Sequence, residues 1–469
     1  MSTDGPAGRA DARARRARRA FLGAFAVVVG VLAVIGLGGA ALTTTQGPRV
    51  THVQVDPDAA ATASGSRMIF TTTQSLREVD AAQVTVTPAA DFTVDTSGRT
   101  VGLRFAQPLW DETEYTVRIE GVAGLGGGPA TTIEESFATP PLEVYLLRRG
   151  RTDDTIVRTT LDGTAETVYS HPHIEDFRAT AGHLVIATLD DDDRPVLVTT
   201  RLDGSGEREL TLPGPGTVTN LQSADRGNRI GYTFTDASIG RAGSRESALF
   251  TASLSDPAAE PTPIEIEGGD PRVDDWRFVP GTDSLLMLTY DGTLTLATGE
   301  GEEPVALGSA LAIDGIARGS TEAIVDRLTQ HITVDLASAD EKPLVAVDAA
   351  LGTAGAITPL ADGSTLRVLA QLDGFTVRST DVVVADADAE VRPVFQVASG
   401  DVLLHTCVAP SGRYAAFLVA PRAVDNPYDG YRLPLPERLQ THVVELDTGD
   451  EVSALDGFDI SWCQNAPRP

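Results

Sequence analysis

Three short stretches of this chain carry residue types that can do chemistry. Residues 171–173 read His-Pro-His, residues 190–193 are four consecutive aspartates, and residues 422–439 read RAVDNPYDGYRLPLPERL. His171 and His173 offer two imidazoles to a metal, but the proline between them and the lack of a third ligand nearby fit an exposed loop better. Calcium requires six or more oxygens, often held by a turn with a glycine. Neither Asp191 and Asp193 with their neighbours nor DADAE at 386–390 meets that demand, and both read as solvated strand connections. No metal site is assigned. Tyr428, Tyr431 and Arg432 are different, because amphipathic tyrosines and an arginine on a loop are the usual anchors of a binding surface.

Enzyme signatures are missing. The chain contains no G-x-S-x-G, no G-x-x-x-x-G-K-[ST] and no H-E-x-x-H. The glycine-rich VAGLGGGPA at 122–130 lies between strands rather than before a helix, which argues against a phosphate cradle. No catalytic residue and no cofactor is assigned. Paired carboxylates are the catalytic chemistry that this composition supplies freely, so a hydrolase or lyase using them is the alternative to a binding protein.

The elements that must position these residues are short strands. Six segments align, each a polar turn followed by an apolar run, and their turn glycines are Gly182, Gly227, Gly281, Gly319, Gly363 and Gly412. The intervals of 45, 54, 38, 44 and 49 residues suit a β-propeller rather than a helical solenoid. PVLVTTRLDGSGERELTL and QTHVVELDTGDEVSAL add a second strand pair hinged on a tight turn, as strands three and four of a blade require. APSGRYAAF and LADGSTLRV resemble the TolB-like, WD40-like propeller repeat, which implies a fold but no particular function. LEVYLLR and TIVRTTLDG read as strands two and three with no strand one before them, and FDISWCQNAP reads as a strand one with nothing after it. Both ends of 142–465 are therefore expected to close one blade, the seventh.

That topology places 422–439, His-Pro-His and the aspartate run on connections that share one propeller face. Tyr428, Tyr431, Arg432, His171, His173, Asp191 and Asp193 are expected around one mouth. Cys407 and Cys463 fall at matching places in strand one of blades six and seven, and a disulfide between them would lock the closing strand.

Before the propeller, residues 48–139 hold seven short runs of period two, from VTHVQV to ESFAT, the pattern of half-buried antiparallel strands. VTVTPAADFTVDTSGRTVGLRF, EYTVRIEGV and the closing ESFAT resemble the bacterial Ig-like domain of the S-layer type. That resemblance implies a β-sandwich acting as a spacer or adhesive module. Pro140-Pro141 marks the boundary.

Composition supplies the compartment. The net charge is −29, yet six of the 37 basic residues are arginines within residues 1–19. A body so acidic repels phosphate backbones, so nucleic acid is not an expected partner. Residues 20–42 are 23 consecutive uncharged residues, enough to cross a bilayer core of ~30 Å. Arginines on their N-terminal side predict a cytoplasmic N-terminus and extracytoplasmic domains. A second reading is a cleaved signal peptide, and RRAFL at 18–22 resembles the twin-arginine export motif without its usual flanking residues. A single lysine, Lys342, fits a GC-rich bacterial genome. Together these features predict an all-β, membrane-anchored binding or scaffold protein of the cell envelope, with an envelope protein or wall glycan as ligand.

Overall fold

In the computed structural model the described residues are 27–33, 46–224, 228–266, 269–298, 303–374 and 376–467. Residues 27–33 are helical, while the rest of 20–42, the basic segment 1–19 and the turn glycine Gly227 lie outside the described residues. Among the described residues no helix is long and apolar enough to cross a membrane. The protein is nearly all β, and its strands form many separate antiparallel sheets.

The chain forms two compact units. The first comprises Met1–Asp56, Arg67–Arg104 and Glu114–Phe137, and the second Pro57–Ser66, Phe105–Thr113 and Ala138–Pro469. In the first, one sheet orders its strands Val50–Val55, Arg67–Thr72, Thr100–Phe105, Phe92–Ser97, and the other Val84–Thr87, Glu114–Val122, Thr131–Ala138. Alternation dictates which faces are dry: Met68 and Phe70 are buried from one strand, Tyr115, Val117 and Ile119 from another.

The second unit contains seven sheets in succession. Blades 1 to 6 span 174–209, 216–263, 273–309, 312–343, 353–397 and 402–456, each with four strands paired in sequence order. Blade 7 has three strands, Glu143–Arg148, Asp154–Thr160 and Ala165–His171. Contacts between blades run through first strands: Ile174–Ala179 meets Gly216–Ser223, and the series continues through Val273–Phe278, Ala312–Ile316 and Thr353–Pro359 to Val402–Val408. Ile174–Ala179 also meets Glu143–Arg148, so the series returns to blade 7, the arrangement of a β-propeller. Apolar side chains fill the wedges between blades, as Leu286, Leu288 and Leu294 do with Val325 and Val334. Packing there is tight: a Cβ on Gly231 would stand 2.5 Å from the Trp276 ring of the next blade.

Every first strand of blades 1 to 6 carries a register shift, between Ile174 and Asp176, Thr219 and Gln222, Val273 and Asp275, Ile313 and Gly315, Ala354 and Ile357, and Leu403 and His405. Such bulges add a residue and re-aim the side chains that follow. Blade 7 shows the same device in its closing segment. Leu147 and Phe458 exchange two backbone hydrogen bonds of 2.9 Å, and the Ser461 N–H donates to Tyr145 O at 2.9 Å. Asp459, at φ 54°, and Ile460 then stand opposite the single residue Leu146. Pairing expected over 458–464 therefore runs only from Phe458 to Ser461, because the bulge turns the chain away. Cys407 and Cys463 are joined, with Cα atoms 5.4 Å apart, tying the closing segment to the first strand of blade 6.

Candidate ligand-binding face

The insert at 422–439 connects Tyr414–Ala420 to Gln440–Glu445, strands two and three of blade 6. His-Pro-His follows strand four of blade 7, and the aspartate run joins strands two and three of blade 1. All three connections lie where the first strands begin, and their side chains meet there.

Tyr431 is the centre of that meeting, and it faces inward. Its hydroxyl donates to both carboxylate oxygens of Asp154, at 2.7 and 2.8 Å. Asp154 is fully buried and also accepts from the Gly150 N–H at 3.0 Å and the Ile174 N–H at 2.7 Å. Burial and this bond to a carboxylate hold the Tyr431 phenol well above its ordinary pKa. Its ring stacks on His173, centroids 4.3 Å apart, and takes the Arg149 guanidinium 3.7 Å from its centroid. Arg149 pairs with Asp429 at 2.7 Å, and Asp429 Oδ1 accepts the Tyr431 and Leu435 N–H groups. A cation–π contact, a stack and an ion pair thus clasp the insert to blades 7 and 1.

His173 Nε2 lies 2.7 Å from Glu175 Oε1, and His171 Nδ1 accepts the His173 N–H at 3.1 Å, so both imidazoles organise the loop. Arg432 donates to Asp193 O at 3.3 Å and to Glu175 Oε1 through its N–H at 3.5 Å. Asp193 sits at φ 56° in the tip of its turn, and Asp191 beside it is exposed. Arg194 pairs with Asp190 and Asp192 at 2.9 and 2.7 Å and so neutralises part of the acidic run. Tyr428 is 56% exposed and Val424 96% exposed, so the clasped insert displays an aromatic and an aliphatic side chain to solvent.

A second polar system lies along the first strands, and the sequence reading missed it. Arg178 Nη1 stands 2.9 Å from Asp176 Oδ1 and 2.7 Å from Asp459 Oδ2, with all three side chains at least nine-tenths buried. Arg277 pairs with Asp275 in the same manner. Side chains of the first strands also stitch neighbouring first strands that share no ladder: Arg178 Nε donates to Leu221 O at 2.8 Å, and Gln222 Nε2 to Trp276 O at 2.6 Å. Burial raises the Asp176 carboxyl well above the usual range, Arg178 opposes the shift, and Asp459 adds to it. Burial pushes His405 down to about 4, against the attraction of Asp459. One signal was available: EDFRA and DDWRF repeat Asp-aromatic-Arg at matching places in blades 1 and 3. Among the described residues His405, Cys407 and Cys463 also cluster closely enough for a metal, but the two cysteines are spent on each other.

At the opposite end of the first strands is a cavity of about 80 Å³, open on one side, lined by Asp314, Arg277, Arg318, Trp462 and Asn465 among others. Burial pushes the Asp314 carboxyl up to about 7, Asp326 and Asp275 adding to the shift and Arg277 opposing it.

No family model matches this chain, and no curated protein matches it. Solved structures do share features with it. An uncharacterised protein of Listeria monocytogenes EGD-e aligns at 9% identity and TM-score 0.42, over 67% of this chain and 91% of its own. A prolyl endopeptidase aligns at 12% identity and TM-score 0.46, over 66% of this chain and 49% of its own. A putative TolB from Agrobacterium tumefaciens aligns at 12% identity and TM-score 0.33, over 67% of this chain and 90% of its own. Strand order within the sheets and contacts between first strands define the propeller.

Proposed function

We propose that this protein is a non-enzymatic binding or scaffold protein of the bacterial envelope, whose propeller presents the 422–439 insert to a protein partner. Residues 20–42 would hold it in the membrane with a cytoplasmic N-terminus. The first unit would act as the spacer that its Ig-like resemblance implies.

One observation carries the reading: the insert is ordered before any partner arrives. Tyr431, Arg149, Asp154 and His173 fix its base, while Tyr428 and Val424 remain exposed at its surface. Ordering such a loop on binding costs about 0.5–1.5 kcal/mol for each immobilised side chain, and a clasped loop avoids much of it. Exposed aromatic and aliphatic groups on a fixed loop suit a protein surface.

Photocrosslinking in the native cell tests this. A photoreactive residue at Tyr428 is expected to capture a defined partner, and one at Asp283, on a turn at the other end of the propeller, is not. Capture from Asp283 alone would overturn the proposed face.

A second reading, a hydrolase or lyase working through carboxylates, is favoured by Asp314, whose carboxyl at about 7 suits a general acid or base. Glycosidic chemistry would need a second free carboxylate roughly 5–10 Å away in the same cavity. Turnover of glycosides that is abolished by D314N would establish it.

A further inference from the structure

Exposed apolar side chains gather at one end of the propeller. Among the described residues of the second unit, twelve large ones are at least 42% exposed, and ten of these lie on or beside the connections that share an end with 422–439. None lies in a turn at the other end. Single exposed apolar residues are ordinary on a protein surface, but a one-sided set marks an interaction site. Backbone bonds between connections make the set continuous. Tyr290, Leu311 and Leu328 of blades 3 and 4 are drawn together where the Ala310 N–H donates to Gly292 O at 2.9 Å and the Leu311 N–H to Asp326 O at 2.8 Å. The Leu344 N–H, donating to His331 O at 3.0 Å, carries the chain on to Val345. In blade 5 Leu372 stands opposite Val377, and Gln371 Nε2 donates to Leu351 O on the connection that holds Val345. In blade 6 the Ala423 N–H donates to Gly400 O at 2.9 Å, which sets Val424 beside the connection leading to Val402. Blades 7 and 1 contribute none, and the aspartate run lies there.

Area and charge say what covers this arc. A fully buried aliphatic side chain removes roughly 60–120 Å² of apolar surface from water, so ten that are half exposed or more offer roughly 400–700 Å². A standard interface buries about 800 Å² on each partner, a little over half of it apolar. One such contact would cover the arc. Turns at the other end expose Asp162, Asp203, Asp256, Asp283, Asp362 and Asp447, so two copies meeting there would bring like charges together. The apolar end carries both signs. Asp373 and Arg378 flank Leu372 and Val377, and Arg422 and Asp425 flank Val424, all four exposed. A surface with apolar tips and charges of both signs is able to meet its own copy, as a two-fold contact demands. A bilayer fits less well, because Asp291, Asp373 and Asp425 each adjoin an apolar tip or its turn and would lose their water without gaining a cation.

We infer that the partner at this end is a second copy of this chain, the two propellers meeting face to face through the arc of blades 3 to 6. This rests on the reading of the 422–439 end as a protein-binding face and names what it binds. Apolar tips meet apolar tips about the two-fold axis, and the arginines and aspartates beside them pair across it. The opposite ends, rich in aspartate, then point away from each other and keep the pair from growing into a filament.

Sedimentation velocity of the full-length protein, in a detergent matched in density to the solvent, tests this. A reversible dimer is expected with a dissociation constant of about 1 μM or below, the range that interfaces of this size reach. L328D and V424D each put an unpaired charge into the contact and should weaken it about tenfold or more. Leu328 is 84% and Val424 96% exposed, so neither change disturbs a packed core. D283R, at the acidic end, should leave the dimer unchanged. A monomer at every concentration would overturn the inference. So would a dimer that the double variant L328D/V424D leaves intact, since its contact would lie elsewhere, residues 20–42 included. Crosslinking in the cell separates this result from the reading it rests on. Capture of a different protein from Tyr428 by a monomeric chain would overturn the second copy and leave the binding face standing, whereas capture from Asp283 alone would remove the face itself.

Discussion

Arg178 and Asp459 are 281 residues apart in sequence and 2.7 Å apart in the fold. Their pairing joins the first strand of blade 1 to the segment that completes blade 7. The same guanidinium holds Asp176 at 2.9 Å. Two carboxylates and one arginine are thus buried together, and removing the arginine leaves two acids with no counter-charge. R178M is expected to destabilise the protein by about 3–5 kcal/mol. Replacing all three with apolar residues should recover most of that loss. Urea denaturation of the single and triple variants checks this, and an R178M midpoint equal to the parent's would mean the pair is energetically idle.

His405 and Asp314 impose opposite pH dependences over overlapping ranges. His405 is lowered from 6.5 to about 4 in the fold, so it contributes stability above 6.5 that is lost as pH falls toward 4. Asp314 is raised from 3.8 to about 7, so its contribution is present below 3.8 and lost as pH rises to 7. The two slopes partly cancel in the parent protein. H405Q should therefore expose a decline in stability with rising pH, and D314N should expose a rise. Thermal melts from pH 4 to 7 read both slopes, and parallel curves for the two variants would contradict these assignments.

Severing the bridge with C463S frees a loop whose ends are 56 residues apart. Chain entropy puts the loss at up to about 4 kcal/mol. Equilibrium unfolding with and without reductant should shift the parent and leave C463S unmoved. Equal shifts in both would place the effect elsewhere.

Y431F keeps the ring between Arg149 and His173 but removes the donor to Asp154. A hydrogen bond to a buried charge is worth about 1.5–3 kcal/mol, and its loss should loosen the base of the insert first. Limited proteolysis is expected to cut within 422–439 in Y431F well before the parent, while Y428A, exposed and outside the clasp, leaves the rate unchanged. Equal rates for Y431F and the parent would show that the clasp does not control the loop.

Much of this architecture was legible because burial forces a period of two on strands and glycine on their tight turns. Gly281, Gly319, Gly363 and Gly412 all take φ between 71° and 85° in the turns that follow first strands, where the repeat placed them. Loop positions followed from strand order, so the meeting of the insert, His-Pro-His and the aspartate run was open to inference. The direction of Tyr431 was not, since an irregular loop has no periodicity to say which tyrosine turns inward. Nor was the polar system along the first strands: Asp176, Arg178 and Asp275 look like solvated charges until a bulge in each strand turns them inward, where Arg178 meets Asp459 and Leu221 O from other blades. The register of Phe458 to Ser461 was missed for the same reason, because one residue at φ 54° ends a run that alternation alone would extend.

The closure of blade 7 also governs when the protein can finish folding. Tyr145 and Ser461, which pair across it, are separated by 316 residues. A chain made from its N-terminus displays the open flank of Glu143–Arg148 throughout that interval, with its amides and carbonyls free to recruit a strand from a neighbouring copy. Six later blades must form before the proper occupant of that flank exists. Newly made molecules are therefore most vulnerable to one another late in synthesis, and whatever shields that one flank sets the yield of sound propellers.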